Sequence, residues 1–145
     1  MINKQATRSS STFGEINISG PKSLRVFITD DSPVVRTRLA NMISDIDGVD
    51  LIGEAGNVEE AIHMINELKP NAVILDICMP GGSGIDVLRE IKNKKDAPIV
   101  IVLTNYPFPQ YRKICMDTGA DYFFDKSNDF YQIVDIFKNL SAFLY

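Results

Sequence analysis

The stretch VILDICMP, Val73 to Pro80, decides how the rest of the chain is read. Val73, Ile74 and Leu75 have the unbroken aliphatic character of a strand covered on both faces, and the run ends on a carboxylate, Asp76. A charge at the end of such a strand is costly unless something compensates it. The question is therefore what surrounds Asp76, and the flanking elements supply the answer.

Short apolar runs alternate with segments of helical period on both sides of this stretch. Upstream, LRVFIT (24–29) is a strand, and SPVVRTRLANMISDI follows as a helix capped by Ser32, with Pro33 in its first turn. DLIGEAG is the next strand, and Asn57 caps a helix whose stripe is Val58, Ala61, Ile62, Ile65 and Leu68. Downstream, Ser83 with Asp86 forms a capping box for a third helix, and PIVIVLT is a fourth strand. A helix from about Pro109 stops at Gly119, DYFFD is a short fifth strand, and NDFYQIVDIFKNLSAFLY closes the chain as a helix. Strict alternation of strand and helix predicts an α/β fold, a five-stranded parallel sheet with helices on both faces.

Composition agrees. The 145 residues are 45% apolar and 23% charged, enough for one well-filled domain. Residues 1–22 are rich in Ser, Thr, Asn and Gly and are expected to form a flexible arm, leaving 23–145 as the domain. A net charge of −4 argues against a general nucleic-acid or membrane-surface binder. No apolar run approaches the roughly 18 residues of a membrane span, and the N-terminus lacks a secretory apolar core. Cys78 and Cys115 are too far apart in sequence to suggest a metal-ligand pair, so free thiols in a cytoplasmic setting are expected.

In an open parallel sheet, chemistry collects at the carboxyl ends of the strands. Here those ends carry Asp30 and Asp31 after the first strand, Asp76 after the third, Thr104 after the fourth and Lys126 after the fifth. Carboxylates gathered at one rim repel and call for a cation, and an all-oxygen donor set favours Mg²⁺ or Mn²⁺. Acidic groups, a hard cation, an ammonium and a hydroxyl together suit a phosphoryl group. Asp76, on the central strand, is the best candidate for a nucleophile that forms an acyl phosphate. Any one of these residues alone is better explained as a helix cap, a turn former or a solvated charge. It is their joint occurrence at the strand ends that points to a site.

From Ser23 onward the chain resembles the receiver domain of two-component response regulators, of the stand-alone, chemotaxis-regulator-like type. The matching motifs are DDS after the first strand, LDICMPGGSG around the third, LTN after the fourth and FDKS after the fifth. The resemblance implies a flavodoxin-like, doubly wound sheet of order 2-1-3-4-5. It implies Asp76 as phosphoacceptor, and Asp30, Asp31, Asp76 and the Cys78 carbonyl as Mg²⁺ ligands. Thr104 and Lys126 would bind phosphoryl oxygens, and Phe123 would occupy the position of a switching aromatic. Its implied partners are a sensor histidine kinase or phosphotransfer protein and a downstream protein, without direct nucleic-acid or membrane contact. Self-modification with no external substrate would make it a switch and not an enzyme in the ordinary sense.

Some residues depart from the family pattern. Lys126 precedes Ser127 instead of the common proline, and Asn105 follows Thr104 where a smaller residue is usual. Phe123 lacks a tyrosine hydroxyl, so a switch there would work by ring packing. With the sequence ending at Tyr145, no output domain is expected to follow, and readout is expected through binding another protein or competing for kinase phosphate. Tyr106 and Cys78, two residues beyond Thr104 and Asp76, offer no group suited to orient water, and slow self-dephosphorylation is expected. His63, opposite the apolar stripe, is expected on the surface. Apolar residues in NYPFPQYRK (105–113) and at Tyr131, Ile136 and Phe143 leave open whether the last two helices form an interface, including a homodimer, or pack in the ordinary way.

Rivals fit less well. A receiver-like binding module that is never phosphorylated would share every motif. A flavodoxin-like electron carrier needs a Ser/Thr/Gly loop after the first strand, where DDSPVVR presents two carboxylates that repel a flavin phosphate. An aspartyl phosphatase would place its nucleophile on the first strand with a second Asp two residues on, and TDDSP does not.

Overall fold

The computed structural model describes residues 23–143. The arm expected over 1–22 lies outside the described residues, as do the last two positions of the expected domain.

Five strands make one parallel sheet: β1 (Leu24–Thr29), β2 (Val49–Ala55), β3 (Ala72–Leu75), β6 (Ile99–Thr104) and β7 (Tyr122–Asp125). Their order is β2-β1-β3-β6-β7, with every pairing parallel. Counting main-sheet strands only, this is the expected 2-1-3-4-5. Two very short strands, β4 (Cys78–Met79) and β5 (Gly82–Ser83), form an antiparallel hairpin directly after Asp76, which was not foreseen. Gly81 and Gly82 take φ of 87° and 141° at its turn, a region that side chains resist.

The helices are α1 (Pro33–Ser44), α2 (Val58–Leu68), α3 (Gly84–Lys92), α4 (Pro109–Thr118) and α5 (Gln132–Ala142). The expected caps form: Val35 N donates to Ser32 Oγ, Glu60 N to Asn57 Oδ1, and Ser83 and Asp86 complete a capping box. The last helix begins later than its sequence pattern suggests. Asp129 N donates to the Asp125 carbonyl while Asp125 N donates to Asp129 Oδ2, and this turn holds the chain out of helix until Gln132. Phe130 precedes the helix yet is buried, with the Arg38 guanidinium 4.2 Å from its ring centre.

The sheet divides the core into two. Phe27, Val73, Leu75, Val100 and Val102 face α2, α3 and Cys115 of α4, while Val26, Ile28, Ile74, Ile101 and Leu103 face Leu39 and Ile43 of α1 and Ile133 and Phe137 of α5. All four residues of β3 are buried, which is why its sequence shows no alternation.

Candidate functional site

Strand register builds the site. Thr29 pairs with Leu75, so Asp30 and Asp76 each follow one member of that pair and leave the sheet side by side. Asp76 N donates to the Thr29 carbonyl and Asp30 N to the Ala55 carbonyl, extending both ladders past the strand ends. At the other edge Thr104 pairs with Asp125, and Lys126 N donates to the Thr104 carbonyl at 2.9 Å.

The structure thus brings Asp30, Asp76 and Lys126 together. Lys126 Nζ lies 2.7 Å from Asp30 Oδ2 and 3.1 Å from Asp76 Oδ2, with both carboxylates and the ammonium nearly excluded from solvent. Asp30 Oδ1 accepts from Ser32 N, and Asp76 Oδ1 accepts from Cys78 N. Carboxylate oxygens of Asp30, Asp31 and Asp76 all lie within 4.8 Å of one another; Asp31 is the exposed member. Thr104 is fully buried, and its hydroxyl accepts from Tyr106 N at 3.0 Å.

Burial pushes the Asp76 carboxyl above its ordinary range, and the neighbouring Asp30 charge pushes it further, against the opposing pull of Lys126. Burial by itself would lower Lys126, but the hydrogen bond and charge of Asp30, with those of Asp76, outweigh it and hold the ammonium protonated. Three carboxylates against one ammonium leave two negative charges without compensation when all are ionised. That deficit, on oxygen donors alone, fits a hard divalent ion such as Mg²⁺ or Mn²⁺.

Residues outside the sequence motifs also shape the site. A Cβ on Gly84 would sit 1.9 Å from the Asp76 carbonyl oxygen, so the α3 N-terminus can press against the Asp76 backbone only as glycine. Arg36 Nη1 donates to the Asp30 carbonyl, and Arg112 Nη1 to that of Phe123. Phe123 is buried, with the Arg112 guanidinium 5.8 Å from its ring, so a polar contact with α4 accompanies the ring packing expected there. The Lys126–Ser127 turn is closed by Ser127 N donating to Asp125 Oδ1. Asn105 and Tyr106 are exposed beside Thr104. His63 is exposed, and Cys78 and Cys115 are free thiols, one exposed and one buried. Among the described residues no helix is long and apolar enough to cross a membrane.

Comparison with known proteins gives this geometry a family. The response regulator receiver domain family matches residues 26–138. The response regulator GacA of Pseudomonas aeruginosa is 30% identical over 122 residues, covering 82% of this chain and 56% of that protein. A solved LuxR-family two-component response regulator from Aurantimonas superposes with a TM-score of 0.76 at 26% identity, covering 83% of this chain and 86% of the other. A chain of the CheX–CheY–BeF3–Mg²⁺ complex from Borrelia burgdorferi superposes with a TM-score of 0.74 at 27% identity, covering 86% and 92%. The chain spans about half the length of the curated relatives it matches. With the five-stranded order, the strand-end constellation and the family match in agreement, the chain belongs to the response regulator receiver domain family.

Proposed function

We propose that this receiver domain is a phosphoacceptor switch in which Asp76 takes a phosphoryl group from the phosphohistidine of a sensor kinase or phosphotransfer protein. An ionised oxygen of Asp76 attacks phosphorus, the P–N bond to the donor imidazole breaks, and the imidazole nitrogen keeps the electron pair. The observation that carries this reading is the bridging of Asp30 and Asp76 by one buried ammonium, that of Lys126, whose backbone N–H pairs with the Thr104 carbonyl. Lys126 can follow the negative charge from the carboxylate to the phosphoryl oxygens. Thr104 can exchange its contact with Tyr106 N for a phosphoryl oxygen.

Asp30, Asp31, Asp76 and the Cys78 carbonyl would hold Mg²⁺ or Mn²⁺, which when bound neutralises phosphoryl charge. Inward movement of Thr104 leaves room for Phe123 to repack, and Arg112 passes the change to α4. The modified state then shifts the population of surfaces near α4 and α5 toward one that a downstream protein binds. The same chemistry turns over no external substrate, and it suits a cytoplasmic protein.

Beryllofluoride, a mimic of an acyl-phosphate group, tests this. Added with Mg²⁺ it is expected to raise the melting temperature of the wild-type chain and leave Asp76→Asn unmoved. An equal shift in both proteins, or none in either, would count against the assignment.

A further inference from the structure

Asp31 accepts no hydrogen bond among the described residues, whereas Asp30 and Asp76 are each held through both carboxylate oxygens. Something else has to decide where the Asp31 side chain projects. Its direction depends on the peptide plane joining Asp30 to Asp31, and the oxygen of that plane is the Asp30 carbonyl. Arg36 Nη1 holds that oxygen at 2.7 Å. The same guanidinium is steadied by Glu54 at the end of β2, with Nε 3.2 Å from Oε1. Space around it is tight, since a Cβ on Gly56 would approach Nη1 to 3.1 Å. Arg36 N also donates to the Ser32 carbonyl at 3.0 Å, so the first turn of α1 and the Asp30–Asp31 peptide are tied together.

We infer that Arg36, steadied by Glu54, is a positioning residue for the acidic cluster: by fixing the Asp30–Asp31 peptide it sets the Asp31 carboxylate for cation binding. The pair touches neither the cation nor the phosphoryl group in this scheme. A flexible surface aspartate would spend most of its time away from the cluster, and ordering it beforehand removes that entropic cost from binding. A guanidinium suits the task because its planar fork donates to a carbonyl and a carboxylate in fixed directions, as an ammonium cannot.

The inference rests on the metal reading of the cluster, and the test separates the two. The full chain is titrated with MgCl₂ alone, and in parallel MnCl₂, by isothermal calorimetry, for wild type, Arg36→Gln, Arg36→Lys and Glu54→Gln. Metal-free melting temperatures are recorded for each. Arg36→Gln is expected to weaken Mg²⁺ binding about tenfold, the scale seen when groups behind metal ligands are removed. Glu54→Gln is expected to weaken it less, with Arg36→Lys between wild type and Arg36→Gln. In acetyl-phosphate labelling, the Mg²⁺ concentration for half-maximal rate rises in these variants, while the rate at saturating Mg²⁺ stays near wild type. A merely structural arginine would lower melting temperatures and leave that concentration alone. Should Arg36→Gln fail to fold, Glu54→Gln and Arg36→Lys decide the matter. Unchanged or tighter Mg²⁺ binding in folded variants overturns the proposal. A wild-type chain that binds neither ion overturns the metal reading itself, and this proposal with it.

Discussion

Thr29 ends β1 beside the acidic cluster, with its hydroxyl oxygen buried and without a hydrogen-bond partner among the described residues. A buried hydroxyl left unpaired costs stability, and Val has nearly the same shape without that cost. Thr29→Val should therefore stabilise the chain by about 1 kcal/mol in urea unfolding; a loss of stability would mean that the hydroxyl has a partner in solution. Cys115 makes a second residue-scale claim. Burial pushes its thiol from the ordinary 9.0 up to about 11, so the folded chain keeps a proton that the unfolded chain gives up. Stability from this group is complete below pH 9.0 and falls as pH rises from there through about 11. Replacing Cys115 with Ala should flatten that alkaline loss. A thiol reagent should label one cysteine in the native protein, the exposed Cys78, and two after unfolding. Neither claim was legible in the sequence, because a residue type does not announce whether its polar atom finds a partner or water.

At the scale of elements, the hairpin β4–β5 and the N-terminus of α3 form the wall behind Asp76. Its turn glycines and capping box stand out in PGGSGID, but the packing role of Gly84 does not, since the glycine has ordinary φ and is required by its neighbour's backbone. Gly84→Ala should cost about 3 kcal/mol and slow modification of Asp76, because the added carbon meets main chain, which cannot rotate aside. After β6, the loop from Asn105 to Phe108 carries the half-exposed Tyr106 ring, 6.4 Å from that of Phe108. If this ring restricts water, Tyr106→Gly should speed loss of the phosphoryl group, measured as decay of the adduct after the donor is removed. An unchanged decay would remove Tyr106 from that role. The late start of α5 shows where element reading fails: the apolar period runs through Phe130, but side-chain bonds of Asp125 and Asp129 build a turn first. Local polar competition of this kind is invisible to hydrophobic spacing.

The whole molecule was the most legible level, for a physical reason. A parallel sheet covered on both faces demands unbroken apolar strands, and parallel crossovers demand helices between them, so alternation alone carries the architecture. Once strand order is set, the residues that close each strand must meet at one edge. Asp30, Asp31, Asp76, Thr104 and Lys126 are therefore legible from strand ends alone as candidates for one rim. What the sequence could not supply was the frame that holds them: Arg36 on the Asp30 carbonyl, Arg112 on that of Phe123, and Gly84 against Asp76. These contacts join residues that share no motif and become neighbours only through register. The excess of carboxylates over ammonium at the rim also makes a prediction for the molecule. Millimolar Mg²⁺ should raise its melting temperature, and Asp30→Asn should remove most of the gain.

The central claim, that Asp76 is the group the fold is built to modify, is tested most directly by intact-mass spectrometry. The full chain is incubated with Mg²⁺ and acetyl phosphate, beside Asp76→Asn. A single phosphoryl adduct on the wild type, absent from Asp76→Asn and removed by hydroxylamine, is the predicted result. A folded wild-type chain that takes no adduct at any donor concentration, or an Asp76→Asn chain that takes it equally, would contradict the account.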